Sequence, residues 1–250
     1  MTHLLSDSIQ LPPRPLIAIV GAGGKTTTMY MLAAELAQQN KRVVTTTTTN
    51  IYLPRQGETD TLIIAAETPN MLKMVKNAWQ QHRRVTVAGT VIAAGKLGGL
   101  QPEQPYELLI RGGADVVIAE ADGARHAMIK APAEYEPVVP TQTNVALLLI
   151  SAEAINQPLD ANIAHRPERI AAVLGIEQGD ILTPQLIARL MTSSQGAMKN
   201  IPGQARSYLL ITHVSPERSS MVQEVALFVK HTSSEMQVLG SALPGEWFRL

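Results

Sequence analysis

Short apolar runs alternate with longer stretches whose apolar residues recur at helical spacing. Residues 16–20 form a compact β-rich run, and residues 25–39 follow with Met29, Leu32, Ala33 and Leu36 on one helical face. Residues 43–49 and 61–65 read as strands, since β-branched side chains pack well on a pleated surface. Thr68 then predicts an N-cap and Pro69 a first helical residue, for a helix to about His82. Residues 85–91 predict a strand and 95–99 a loop. The runs at 115–121 and 145–150 are almost continuously apolar, as strands covered on both faces are. Farther on come a helix starting at Thr183-Pro184, a strand over 208–212, a helix over 216–230 and a short strand over 238–242.

This alternation predicts an α/β protein with a mostly parallel sheet. No repeat or composition break divides the 250 residues, so one domain is expected over 1–250, with a small helical insert at about 156–202. Lys and Arg (21) balance Asp and Glu (21), so no overall field favours nucleic acid or an acidic membrane. There is no Cys, hence no disulfide, thiolate metal site or thiol nucleophile. No basic head with an apolar core opens the chain, and no apolar run approaches the ~20 residues that span a bilayer. A soluble, cytoplasmic protein is the expectation.

The strongest chemical signal is IAIVGAGGKTTT, residues 17–28. A strand ends, Gly21, Ala22, Gly23 and Gly24 turn, and Lys25, Thr26 and Thr27 open a helix. Glycines let backbone amides curl around oxygens, and a helix start adds unpaired N–H donors. Lys25 is placed to reach β- and γ-phosphates of ATP or GTP, and the Thr26 hydroxyl to ligate Mg²⁺. The loop is the short form GxxGKT rather than GxxxxGK(S/T), and it resembles the GTNGKT loop of Mur ligases. It also resembles SIMIBI-class NTPase loops, but their extra lysine would fall at Val20 and is missing. The expected fold is therefore a P-loop NTPase-like three-layer one.

ADVVIAEADGAR, residues 114–125, is the second signal. A buried strand ending in acids is where such folds hold Mg²⁺ or orient a nucleophile. Glu120 and Asp122 are two apart and share one side of an extended chain. Asp122 is assigned to the metal ahead of Glu120, though either could take that role, and the two could divide the work, one on the metal and one as base. Thr45 to Thr49 end a neighbouring strand; β propensity explains any one of them better than ligand contact does.

GAGGKTT, TTTTTN, KLGGL (96–100), EADGAR, KAPAEYEPVVP (130–140) and HRPE (165–168) occur in that order. The series resembles the selenium-dependent molybdenum hydroxylase accessory proteins, the YqeC-like family of selenium-cofactor biosynthesis, from about residue 15 to 240. The resemblance implies a nucleotide-binding factor in maturation of a molybdenum enzyme. It would place Lys25, Thr26 and the EADGAR acids in the nucleotide site, and Lys130, Glu136, His165 and Arg166 in the family-specific part. The late strand, however, ends Thr212-His213-Val214-Ser215 instead of an Asn-and-Asp arrangement that would read guanine, which favours ATP. Arg125, His126, Lys130, His165, Arg166 and Arg169 form two short basic groups that suit either an anionic substrate such as a pterin phosphate or simply solvated loop charge.

Three functional classes follow: a Mg²⁺-dependent NTPase or phosphoryl-transfer factor, a nucleotide-gated switch docking a partner hydroxylase, and a Mur-like ATP-dependent ligase, for which the chain is short. With no Cys, the protein cannot carry sulfur or selenium as a persulfide or perselenide; a partner must carry it.

Overall fold

The computed structural model describes residues 2–92 and 95–250. In chain order it begins with α1 (Leu5–Ser8), β1 (Leu16–Gly21), α2 (Lys25–Gln38), β2 (Val43–Thr47) and β3 (Asn50–Tyr52). Next come β4 (Thr61–Ile64), α3 (Thr68–Ala78), β5 (Arg84–Ala88), β6 (Thr90–Ile92), β7 (Lys96–Gly98) and α4 (Gln104–Ile110). The middle holds β8 (Val116–Glu120), β9 (Ile129–Lys130), β10 (Val145–Ser151) and β11 (Ala164–His165). The last third holds α5 (Pro167–Leu174), α6 (Pro184–Thr192), β12 (Arg206–Thr212), α7 (Ser219–Thr232), β13 (Gln237–Ser241) and β14 (Trp247–Arg249).

Nine strands form the main sheet in the order β14-β13-β12-β10-β1-β8-β2-β5-β4, parallel throughout except for β14. Alternate residues of β1 show the layering. Ile17 and Ile19 pack with Met29, Leu32 and Leu36 of α2. Ala18 and Val20 face the other way, toward Val222 and Val225 of α7 and Ile187 of α6. Leu16 joins Met71 and Val75 of α3 and Leu108 of α4 on that same side. Full burial of β1, β8 and β10 explains why those runs lack polar alternation. The result is the expected helix–sheet–helix α/β fold of P-loop NTPase type.

The chain runs from β1 through α2 to β2 and leaves a gap in the sheet that β8 fills later. The loop after β1 thus opens at the C-terminal ends of β1, β8 and β10, where ligands collect in open parallel sheets. Segment 156–202, expected as a helical insert, carries α5, α6 and the two-residue β11.

Several elements differ from the sequence reading. The strand from residue 43 stops at Thr47, because the Thr47 hydroxyl donates to Glu120 O (2.8 Å) and accepts from Thr49 N (3.0 Å), which turns the chain. The run 85–91 breaks at Gly89, where a Cβ would come within 2.7 Å of Gly99 O. The chain leaves the main sheet there and enters a second one, β3-β7-β6. KLGGL is accordingly not a loop: Lys96–Gly98 is its central strand. Glu67, not Thr68, occupies the N-cap of α3; the Thr68 hydroxyl instead accepts from Gln104 Nε2 (3.2 Å), and that helix ends at Ala78. The helix expected from Pro216 starts as a single 3₁₀ turn and becomes α-helical at Ser219. α1, α4 and β14 carry too short a pattern to stand out. Among the described residues no helix is long and apolar enough to cross a membrane.

Candidate functional site

The loop after β1 closes tightly on the end of β10. Gly21, Gly23 and Gly24 all have positive φ (+99°, +80° and +108°), which glycine alone adopts without strain. Ala22 N donates to Leu149 O (2.9 Å) and Gly23 N to Ala127 O (3.0 Å), while Gly21 N donates to Asp122 Oδ2 (3.1 Å). Gly24 is the left-handed N-cap of α2 and has no side chain to cap it. Among the described residues, the amides of Gly24, Lys25, Thr26 and Thr27 find no acceptor, so they remain as donors beside the positive end of a helix.

Lys25 is folded back over the loop and its side chain is 4 % exposed. Its ammonium donates to Gly21 O (2.7 Å) and lies 3.3 Å from Asp122 Oδ1 and 3.7 Å from Glu120 Oε1. Burial penalises this charge, but the attraction of Asp122 and then Glu120 outweighs it and raises the pKa above the ordinary value. Glu120 is pushed the other way from a usual carboxylate: burial raises its pKa, against the opposing pull of Lys25 and the Thr26 bond. Thr26 Oγ1 donates to Glu120 Oε2 at 2.7 Å. Thr27 is exposed on the next position of the helix.

Asp122 is shared with a second lysine. Lys130 Nζ lies 2.9 Å from Asp122 Oδ2 and 2.9 Å from Glu136 Oε2, and it donates to Gly123 O (2.6 Å). Arg166 Nη1 closes on Glu136 at 2.6 Å, and its Nη2 reaches the Tyr135 hydroxyl at 3.3 Å. From Glu120 to Arg166 acids and bases alternate, three of each, largely out of water. A buried charge survives only when paired in this way.

The structure thus gathers Lys25, Thr26, Glu120 and Asp122 at one mouth and runs Lys130, Glu136 and Arg166 away from it as a chain of ion pairs. Glu136 is taken up by two cations and is placed as their counterion. His165 sits beside Lys130 in the β9–β11 pair, and burial together with Arg166 and Lys130 lowers its pKa, so its ring is neutral near pH 7. Arg125 is exposed, with φ +48°, and forms no ion pair among the described residues. Its neighbour His126, also at positive φ, stacks on Tyr52. The threonine hydroxyls are spent within the fold: Thr45 on Thr86 (2.8 Å), Thr46 on Val87 O (2.7 Å), Thr48 on Val138 O (2.6 Å). A surface cleft of about 660 Å³ lies elsewhere, lined by Thr2, His3, Asp7, Ser8, Phe248 and Arg249.

The donor set suits a hard, oxygen-preferring cation. Among the described residues Asp122 Oδ1 is buried without a directed hydrogen bond and has only the ionic contact with Lys25; the Thr26 hydroxyl bonds the neighbouring Glu120. Among the described residues no three His, Cys, Asp or Glu cluster as a cage. Magnesium needs none, since it is commonly held by one or two carboxylates and substrate phosphates.

The sequence names Thr212 and His213 only as standing where a guanine-reading arrangement is missing, and does not single out Ser151. Thr212 Oγ1 donates to Gly23 O at 2.6 Å, and His213 Nδ1 lies 3.1 Å from both the Thr212 and the Ser151 hydroxyls. Nothing local marks them, because their position depends on β12 lying next to β10.

A strand, a glycine turn with left-handed residues, and a helix opening on Lys-Thr beside a strand-end acid together define a P-loop NTPase-like protein. The YqeC family model, described as "YqeC protein", matches residues 17–168, and the chain belongs to that family. It is 27 % identical over 218 residues to the uncharacterized protein YqeC of Escherichia coli (strain K12), covering 85 % of this chain and 81 % of the relative. Among solved structures it is similar to the signal recognition particle 54 kDa protein of Aeropyrum pernix K1 in complex with GDP. There the TM-score is 0.45 and the identity 14 %, over 97 % of this chain and 45 % of that one, so this chain spans less than half that protein's length. FtsY of Mycoplasma mycoides (TM-score 0.41, 12 % identity, 97 % and 66 % covered) and the MinC:MinD complex of Aquifex aeolicus (0.42, 11 %, 90 % and 81 %) are similar at the same level.

Proposed function

We propose that this protein binds a nucleoside triphosphate with Mg²⁺ at residues 21–27 and hydrolyses it or transfers its phosphoryl group, as an accessory factor in maturation of a selenium-dependent molybdenum hydroxylase. The observation that carries the reading is the set of unpaired amides at Gly24 to Thr27 beside a buried lysine already held by two acids. A phosphate chain competes for Lys25 and offers those amides an acceptor. Giving up Lys25 frees oxygens of Asp122 and Glu120. Thr26 and Asp122 would hold the magnesium, which when bound neutralises phosphate charge. Glu120, with its raised pKa, suits a proton acceptor.

ATP is favoured over GTP, since β12 runs out into Thr212-His213-Val214-Ser215 and lacks the Asn-and-Asp arrangement that reads guanine. The maturation role rests on the family resemblance, and a pterin-type cofactor and a hydroxylase are the partners it implies. Regulated docking without turnover is the second reading, favoured by the ion-pair chain that leads from Asp122 to the half-buried Arg166.

The test is calorimetric titration with a non-hydrolysable triphosphate and Mg²⁺. Lys25→Ala is expected to weaken binding at least about 100-fold while the circular dichroism spectrum is kept. Asp122→Asn should cut phosphate release more than affinity. Equal affinity of Lys25→Ala and wild type would remove the phosphate-loop reading. Tight binding with no phosphate release, alone or with molybdopterin-type cofactor, would favour the switch.

A further inference from the structure

Glu120 and Asp122 end β8, on one side of β1, and they mark where the terminal phosphates and the cation belong. β10 and β12 lie on the other side of β1, so a triphosphate laid across the start of α2 carries its nucleoside toward their ends. What stands there is Ser151, Thr212 and His213, joined to the loop through the Thr212–Gly23 bond.

The hydroxyl directions decide the tautomer of His213. Both other partners of Thr212 Oγ1 are carbonyls, Gly23 O at 2.6 Å and Ile150 O at 3.3 Å. Its single hydrogen is therefore spent on a carbonyl, and toward His213 Nδ1 it can only accept. The Ser151 hydroxyl, also 3.1 Å from that nitrogen, has Glu153 Oε2 at 3.2 Å to receive its own hydrogen. Nδ1 therefore carries the hydrogen whenever the ring holds only one, and in that tautomer Nε2 is a bare acceptor. The side chain is 55 % exposed, and the backbone is held at φ +54°, a conformation that a non-glycine residue keeps only when its surroundings impose it.

We propose that His213 is the base-reading residue of this site, accepting a hydrogen bond at Nε2 from the exocyclic amino group of adenine. A 6-oxopurine presents a second acceptor at the same place, and two lone pairs repel. The proposal rests on the phosphate-loop reading above and adds to it a positive determinant of base choice.

The experiment is calorimetric titration of the full chain with the Mg²⁺ complexes of the β,γ-imido triphosphates of adenosine and inosine, whose bases differ in the 6-amino and 6-oxo groups. Wild type is expected to prefer the adenosine analogue about five- to tenfold, the net value of one hydrogen bond. His213→Gly, which accepts the positive φ and deletes the ring, should bring the two within about twofold, with the loss on the adenosine side. Equal binding of both analogues by wild type, or an equal loss of both in His213→Gly, would overturn the base-reading role and leave the phosphate loop standing. Failure of wild type to bind either analogue more tightly than Lys25→Ala would overturn both.

Discussion

Lys130 Nζ lies 2.9 Å from Asp122 Oδ2 and 2.9 Å from Glu136 Oε2, so one ammonium ties the acid at the phosphate loop to the acid of the E-P-x-x-P segment. Its side chain is 1 % exposed, against 21 % for Arg166 at the outer end of the same chain. Deleting one partner of a buried pair costs about 3–5 kcal/mol, because the other charge is left without compensation, whereas a partly hydrated pair costs far less. Lys130→Met should therefore lower the unfolding free energy in urea by roughly that amount, and Arg166→Met by under about 2 kcal/mol. Equal losses would mean that depth along the chain does not govern the energetics.

Glu136 supplies a pH dependence. Burial would raise its pKa, but hydrogen bonds from Arg166 and Lys130, with the Lys130 charge, bring it down from 4.5 to about 2. A carboxyl whose folded pKa is depressed contributes stability that is complete above its unfolded value and fades as pH falls toward the folded one. The protein is expected to lose stability between about pH 4.5 and 2, and Glu136→Gln should flatten that part of the curve. Thermal unfolding followed over this range checks it; a variant as acid-sensitive as wild type would assign the loss to other groups.

The loop glycines separate two kinds of constraint. Gly24 has φ +108°, but the nearest atom to an added Cβ is Thr212 Cγ2 at 3.9 Å. Gly24→Ala should cost only the left-handed backbone penalty, about 1–2 kcal/mol. At Gly23 the added carbon would come 2.5 Å from Ser151 N as well, so Gly23→Ala should cost about 1–3 kcal/mol more. Urea midpoints of the two variants give the comparison, and similar values would show that β10 can move away from the loop.

Much of the site was legible because its chemistry is local. The run IAIVGAGGKTTT encodes strand, turn and helix start within twelve residues, and EADGAR puts two acids on one side of a strand end. Apolar continuity marked β8 and β10 as interior strands for the same reason. Where the reading failed, a contact outside the element itself decided, whether ten residues away (Gly89 and Gly99) or 73 (Thr47 and Glu120). Thr47 ends its strand by bonding to Glu120, Gly89 turns out of the sheet against Gly99, and KLGGL becomes a strand by pairing with β3 and β6.

Residue types and short-range spacing determined by themselves that this chain alternates strands and helices, carries a glycine turn before Lys25, and has no thiol chemistry. Only the tertiary structure decided that Lys25 and Lys130 share Asp122, that Glu136 is a counterion, and that Thr212 bonds to Gly23. Those outcomes depend on strand order, and strand order is set by which apolar faces bury together across more than a hundred residues, an energy that no local window contains.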